Sequence, residues 1–243
     1  MARELQFDAA MDPLLISAAS GMKARMESLD MLANNIANSG TAGFKADQEF
    51  YSVFRDELPV VDSRWTDFSQ GTVMPTGNPL DFSLEGKGFF ALNSPAGVVY
   101  SRGGSFRISG AGQLSTAEGY TLRNTRNNGQ PIVVDPAQTF TVDREGIVRQ
   151  NGQEAGQIEV GNFQDAARSL SKLGNSYFSS GTAPAAATGL TVRQGALEQS
   201  NVPVADAAIR LVGVMRQFEM LQRAMTVGAE MNKRAVDEVS RTT

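Results

Sequence analysis

LANNIANSGTAGFK, residues 32–45, closes an amphipathic segment with three asparagines, Asn34, Asn35 and Asn38, where a helix stable on its own would carry stronger helix formers. Upstream, Asp12-Pro13 pairs an N-cap acceptor with a proline at the first helical position, where its missing N–H costs nothing. From there Leu15, Ala19, Met22, Met26, Leu29, Ala33 and Ile36 recur at alternating spacings of four and three, an unbroken heptad seam. Gly40 is expected to supply a left-handed C-cap, so the helix spans roughly Pro13 to Asn38, about 39 Å long. The asparagines stand off the apolar seam. There their amides can satisfy open carbonyls at the helix end or bond the backbone of a neighbouring subunit.

The carboxy-terminal segment shows the same period. After Pro203 the apolar positions are Val204, Ala207, Leu211, Val214, Phe218, Leu221, Met225 and Gly228, then Ala235 and Val239, with polar Asn232 interrupting. An unbroken helix to Val239 would be about 55 Å long, roughly three turns longer than its amino-terminal counterpart. The shorter helix cannot cover the longer one, and isolated helices at chain ends order poorly. Burying one Leu, Phe or Met is worth roughly 1.5–3 kcal/mol, so such seams offset the entropy of ordering two termini once partners are present. Another subunit is the natural cover, and the termini are expected to fold on assembly.

Between the helices the composition changes to short runs of Val, Ile, Phe and Tyr bounded by glycine turns. Ser105–Ile108, Tyr120–Arg123, Pro131–Val134, Thr139–Val142, Ile147–Gln150 and Gln157–Val160 read as strands. Asp143–Gly146 and Asn151-Gly152 read as turns. The expected fold class is α+β: a discontinuous pair of terminal coiled-coil helices with an inserted all-β domain. Residues 1–45 plus 190–243 form the helical, tube-forming module, 46–74 an extended connector, 75–180 the all-β domain, and 181–189, GTAPAAATG, a linker.

Composition narrows the function. The 243 residues contain no histidine and no cysteine, which removes the usual base near neutral pH, the thiol nucleophile, disulfides and the commonest zinc ligands. A net charge of −4 with both signs dispersed offers no stripe for a phosphate backbone, so no nucleic-acid partner is expected. No apolar run approaches the roughly 20 residues that span a bilayer, and MARELQFDAAMDPLL lacks the layout of a cleavable signal. Neither membrane insertion nor a cofactor or metal is expected.

The remaining chemistry is thin. Gly86-Lys87-Gly88 lacks the spacing of a phosphate-binding loop and reads as a tight turn into a strand. Asp81, Glu85, Glu118, Asp135, Asp143 and Glu145 include no pair placed for hydrolysis, and most flank turn residues, where carboxylates bond locally. Tyr100, Phe106 and Tyr120 would serve a secreted binding module if exposed together. Neither an enzyme nor a binding module explains heptads at both ends.

LANNIANSGTAGFK resembles the amino-terminal signature of the bacterial flagellar rod and hook proteins, through Asn34-Asn35-Ile36-Ala37-Asn38 and Gly43-Phe44-Lys45. TGNPLDFSLEGKGFFAL (76–92) is similar to the family's entry into its β-domain, and YSRGGSFRISGAGQLSTAEGYTLR (100–123) to its strand-turn repeat. RQGALEQSNVPVADAAIRLVGVMRQFEMLQRAM (193–225) resembles the carboxy-terminal signature, especially Gly195–Glu198 and Ser200–Val202. The four motifs occur in the family's order over most of the chain. The resemblance implies a non-enzymatic axial subunit of the basal-body rod that spans the periplasm. It would be exported unfolded through the flagellar type III apparatus and would assemble with itself and other axial proteins into a torque-transmitting tube. In such a tube the helices form the inner layer. The short stretch from Phe54 to Gly71 and MRQFEM at 215–220 look most like the proximal rod members, with the distal rod next. The residues assigned to subunit contact are Leu15, Ala19, Met22, Met26, Leu29, Ala33, Asn34, Asn35, Ile36, Asn38, Leu211, Val214, Phe218, Leu221 and Met225.

Overall fold

The computed structural model describes residues 13–52, 60–174, 176–187 and 189–241, with the side chains of 13–17, 50–64 and several positions after 231 outside that description. The chain divides into two compact units. One comprises residues 1–36, 47–65 and 204–243, and the other 37–46 and 66–203.

In the first unit, a helix spans Pro13–Ala37 and a second spans Val204–Arg241. Strands Asp47–Ser52 and Val60–Thr66 pair with each other, so much of the expected connector is a two-stranded ribbon. Proline opens or immediately precedes each helix, as the sequence predicts. The positive-φ glycine after the first helix is Gly43, at φ 69°, not Gly40. Gly40 stands in a hydrogen-bonded turn instead, with the Thr41 amide donating to the Asn38 carbonyl.

The second unit is built from antiparallel strands. Its largest sheet runs Leu170–Gly174, Tyr177–Ser180, Gly97–Ser101, Phe89–Ser94, Thr121–Leu122, Leu114–Ser115, Arg107–Ile108, with Val160–Asn162 also pairing to Phe89–Ser94 and to Ala185–Ala186. A meander of Phe140–Val142, Ile147–Gln150 and Gln153–Gln157 forms a separate three-stranded sheet. Pro131–Val134, expected as a strand, contributes only isolated bridges, Pro131 to Arg123 and Val133 to Gln113. Thr191–Gln194 pairs with Phe82–Glu85, and Ala196–Glu198 with Val73–Pro75, so the chain re-enters the β unit over residues that the sequence reading assigns to the helical module.

Strand alternation accounts for two cores. Phe90 and Leu92 point to one face of their strand, joining Phe82, Leu84, Leu114, Leu122, Ile132 and Val148, all essentially inaccessible. Phe89 and Ala91 point to the other, with Tyr100, Phe163 and Phe178. A strand covered on both faces reads as the continuous apolar run FFAL rather than as an alternating one.

Candidate functional site

The two terminal helices carry the predicted contact residues, and the structure sorts them sharply. On the first helix Ala19, Met26 and Ala33 are exposed, Met26 to 52%, while Met22, Leu29 and Ile36 are half-buried. The side chain of Leu15 lies outside the described residues. The face the chain covers is a different one: Ala18, Ala24, Ser28, Met31, Leu32 and Asn35 are buried. Small residues permit this. A Cβ added at Gly21 would sit 3.5 Å from Leu221 Cδ1, so Gly21 lets the two helices approach. Ser28 Oγ lies 2.9 Å from Glu49 Oε2 and 3.0 Å from the Ala24 carbonyl oxygen.

The asparagines divide likewise. Asn35 is 5% exposed and bonds inside the chain through both ends of its amide, with Nδ2 donating to the Asp47 carbonyl at 2.7 Å and Oδ1 accepting from the Asp47 amide at 3.0 Å. Within the chain, Asn35 ties the helix end to the strand that follows. Asn34 is exposed, and the half-buried Asn38 accepts from Thr41 through both its carbonyl and its side chain.

On the carboxy-terminal helix the predicted period reappears in the burial. Ala207 is buried, and Leu211, Val214, Phe218, Leu221, Met225 and Gly228 are half-covered, whereas the other described residues from 204 to 231 are exposed. Ile209, Val212, Met220, Val227 and Met231, between 49% and 71% exposed, form a further apolar series that the heptad reading missed.

A second constellation lies inside the β unit, where the quoted motifs meet. Lys45, from the first signature, is fully buried; its Nζ donates to Glu198 Oε1 at 2.6 Å and to the Ser69 carbonyl at 2.5 Å. The same Oε1 accepts from the Gly71 amide at 3.0 Å. Arg102, 3% exposed, holds Nε 3.2 Å from Glu198 Oε2 as an ion pair without hydrogen-bond alignment, and its Nη2 donates to the Gly86 carbonyl at 2.7 Å. Backbone bonds close the ring: the Gly43 amide donates to the Glu198 carbonyl, and the Asn201 side chain accepts from the Ala46 amide while donating to the Asp67 carbonyl. Glycine is favoured at position 43 on two grounds, its positive φ and the 2.2 Å that would separate an added Cβ from Arg102 C and Gly103 N.

Two cations thus share one carboxylate in a dry site. Burial pulls the Lys45 ammonium below its ordinary value, opposed by the Glu198 charge, and burial likewise lowers Arg102 against the same carboxylate. The arrangement is buried throughout, with Lys45, Arg102 and Glu198 all closed off from the surface. It clasps segments 43–46, 67–71, 102 and 198–201. Sequence reasoning recognised these motifs without linking them, since Lys45 and Glu198 stand 153 positions apart.

The other sequence candidates resolve as local structure. Asp81 accepts from Thr76 and Asn78, Asp135 from Ala137 and Gln138, Asp143 from Ile147, and Glu85 faces Arg193. Glu118 accepts from the Tyr177 hydroxyl at 2.5 Å. Tyr100 and Phe106 are buried, which removes the aromatic platform. Among the described residues no group of three or more acidic side chains is placed to hold a metal, and no helix is long and apolar enough to cross a membrane.

Comparison with known proteins gives three family matches in order along the chain: flagella basal body rod protein over residues 15–45, flagellar hook protein FlgE/F/G D1 domain over 83–150, and flagellar basal body rod FlgEFG protein C-terminal over 193–238. The chain is similar to the flagellar basal-body rod protein FlgF of Mesorhizobium japonicum, 31% identical over 93% of this chain and 97% of that one. It is also similar to FlgF of Caulobacter vibrioides, 29% identical over 95% and 99%, and to FlgG of Bacillus subtilis, 30% identical over 92% and 97%.

Proposed function

The chain belongs to the flagellar basal-body rod protein family, and from that premise we propose that it is a structural subunit of the basal-body rod that polymerises through its terminal helices. The observation that carries this reading is the uncovered apolar surface on both helices: Ala19, Met26 and Ala33 on one, Ile209, Val212, Met220, Val227 and Met231 on the other. Lone exposed apolar residues are ordinary, whereas periodic rows of them call for a partner.

A head-to-tail contact repeated by one rotation and translation generates a helical tube, with coiled-coil pairing of the terminal helices as its repeating contact. Close-packed helices in such a tube transmit torque without bond chemistry, and no catalytic role is assigned. In this reading the terminal helical module does the assembling and the β-domain is the inserted body. The partners are further copies and other rod and axial proteins, reached through the flagellar type III export apparatus without a cleaved signal, in the part of the rod that crosses the periplasm. Among rod types the proximal rod is favoured by the short 54–71 segment and the MRQFEM stretch, with the distal rod second.

Phe218→Asp or Leu29→Asp puts a carboxylate on a half-covered apolar row. Both variants should keep the β unit folded, judged by its circular dichroism, yet fail to enter rods isolated from cells. Normal incorporation by either would sink the interface assignment.

A further inference from the structure

Two Asn-Gly pairs occur among the described residues, Asn128-Gly129 and Asn151-Gly152, both asparagines with positive φ, 48° and 54°. Asn-Gly is the dipeptide in which a side-chain amide is most open to attack by the next backbone nitrogen, because glycine carries no Cβ to block the approach. We propose that Asn151 is a spontaneous deamidation and isomerisation site of this protein and that Asn128 is shielded from the same reaction.

The local structures differ where the chemistry needs them to. The Gly129 amide donates to the Asn124 carbonyl at 2.9 Å, Gly129 is buried, and a Cβ there would fall 2.0 Å from the Arg123 guanidinium, so the attacking nitrogen is engaged and walled in. Asn151 and Gly152 are exposed at the tip of the hairpin joining Ile147–Gln150 to Gln153–Gln157. Nothing lies within 4 Å of a Cβ at Gly152, and its amide has no hydrogen-bond acceptor among the described residues. Tying up or freeing one amide changes its availability by the worth of a hydrogen bond and its packed neighbour.

The step balances with water alone. The Gly152 nitrogen, having lost its proton to hydroxide, bonds to the Asn151 side-chain carbonyl carbon. The C–N bond to the side-chain amide breaks, and that nitrogen leaves as ammonia. Water then opens the cyclic imide at one carbonyl or the other, giving aspartate or isoaspartate. Aspartate loses the donor that Asn151 Nδ2 offers Gln138 Oε1. Isoaspartate lengthens the main chain by one atom in a two-residue turn, where loop length sets the Gln150–Gln153 register.

The purified full-length chain, held at mildly alkaline pH and sampled by proteolytic peptide mass spectrometry, tests this. Acid and isoaspartate forms of the Asn151 peptide should accumulate about tenfold faster than those of the Asn128 peptide, the factor expected for one retained hydrogen bond with its packing. Incubation in urea should bring the two rates together. Equal rates in the folded chain, a faster Asn128, or no conversion at Asn151 would each overturn the proposal.

Discussion

Replacing Glu198 with alanine should be among the most damaging single changes in the β unit. The carboxylate is 1% exposed and stands between Lys45 at 2.6 Å and Arg102 at 3.2 Å, while also accepting the Gly71 amide. Its removal strands two buried cations, already repelling one another, without their shared counter-charge. Breaking a buried ion pair by removing one partner costs about 3–5 kcal/mol, a large share of the roughly 5–15 kcal/mol that holds a domain together. With a urea slope of about 2 kcal/mol per molar, the midpoint should fall by about 2 M. Near-ultraviolet circular dichroism can report it, since Tyr100, Tyr120 and Tyr177 all lie in the β unit. Lys45→Met should cost distinctly less, because it leaves Arg102 and Glu198 as a matched pair. A loss below about 1 kcal/mol for Glu198→Ala, or a larger loss for Lys45→Met, would refute the charge argument.

Gly43→Ala adds a Cβ 2.2 Å from backbone at a φ of 69°, and should cost about 3 kcal/mol in thermal unfolding of the β unit. Asn35→Ala removes both amide bonds to Asp47 and should destabilise by about 1–2 kcal/mol, read as faster amide exchange along Asp47–Ser52. The Tyr177 hydroxyl is held well above the ordinary tyrosine value of about 10, chiefly by burial and then by its bond to Glu118. Above pH 10 the unfolded chain therefore loses a proton that the folded chain keeps, and stability should fall as pH rises there. Tyr177→Phe should flatten that alkaline slope in urea midpoints measured across pH; an unchanged slope would remove Tyr177 as its source.

The carboxy-terminal helix was legible because its signal is local. Pro203 marks the start, and the period through Ala207, Leu211, Val214, Phe218, Leu221 and Met225 coincides with the only partly covered row along residues 204–231. The amino-terminal helix was legible in extent but not in orientation. Its covered face combines Met31 and Leu32 with Ala18, Ala24 and Ser28, small residues that bury little area and so leave little trace in a hydrophobic pattern, while half-buried Gly21 allows the close approach at Leu221. The meander from Phe140 to Gln157 was readable from its turns, Asp143–Gly146 and Asn151-Gly152, since loop residues dictate hairpin register. The pairing of Thr191–Gln194 with Phe82–Glu85 was not, because no short-range feature encodes a partner so far away along the chain.

Taken by itself, the sequence determined the α+β class, the helical ends, the antiparallel middle and the family. Each follows from periodicity, turn chemistry or motifs spanning tens of residues at most. Tertiary structure alone decided which face of the first helix is covered, that Asn35 closes on Asp47, and that Lys45, Arg102 and Glu198 share one buried site. The physical reason is common to all three. A charge or amide enters a dry interior only opposite its partner, and which partner that is depends on where the fold carries the chain.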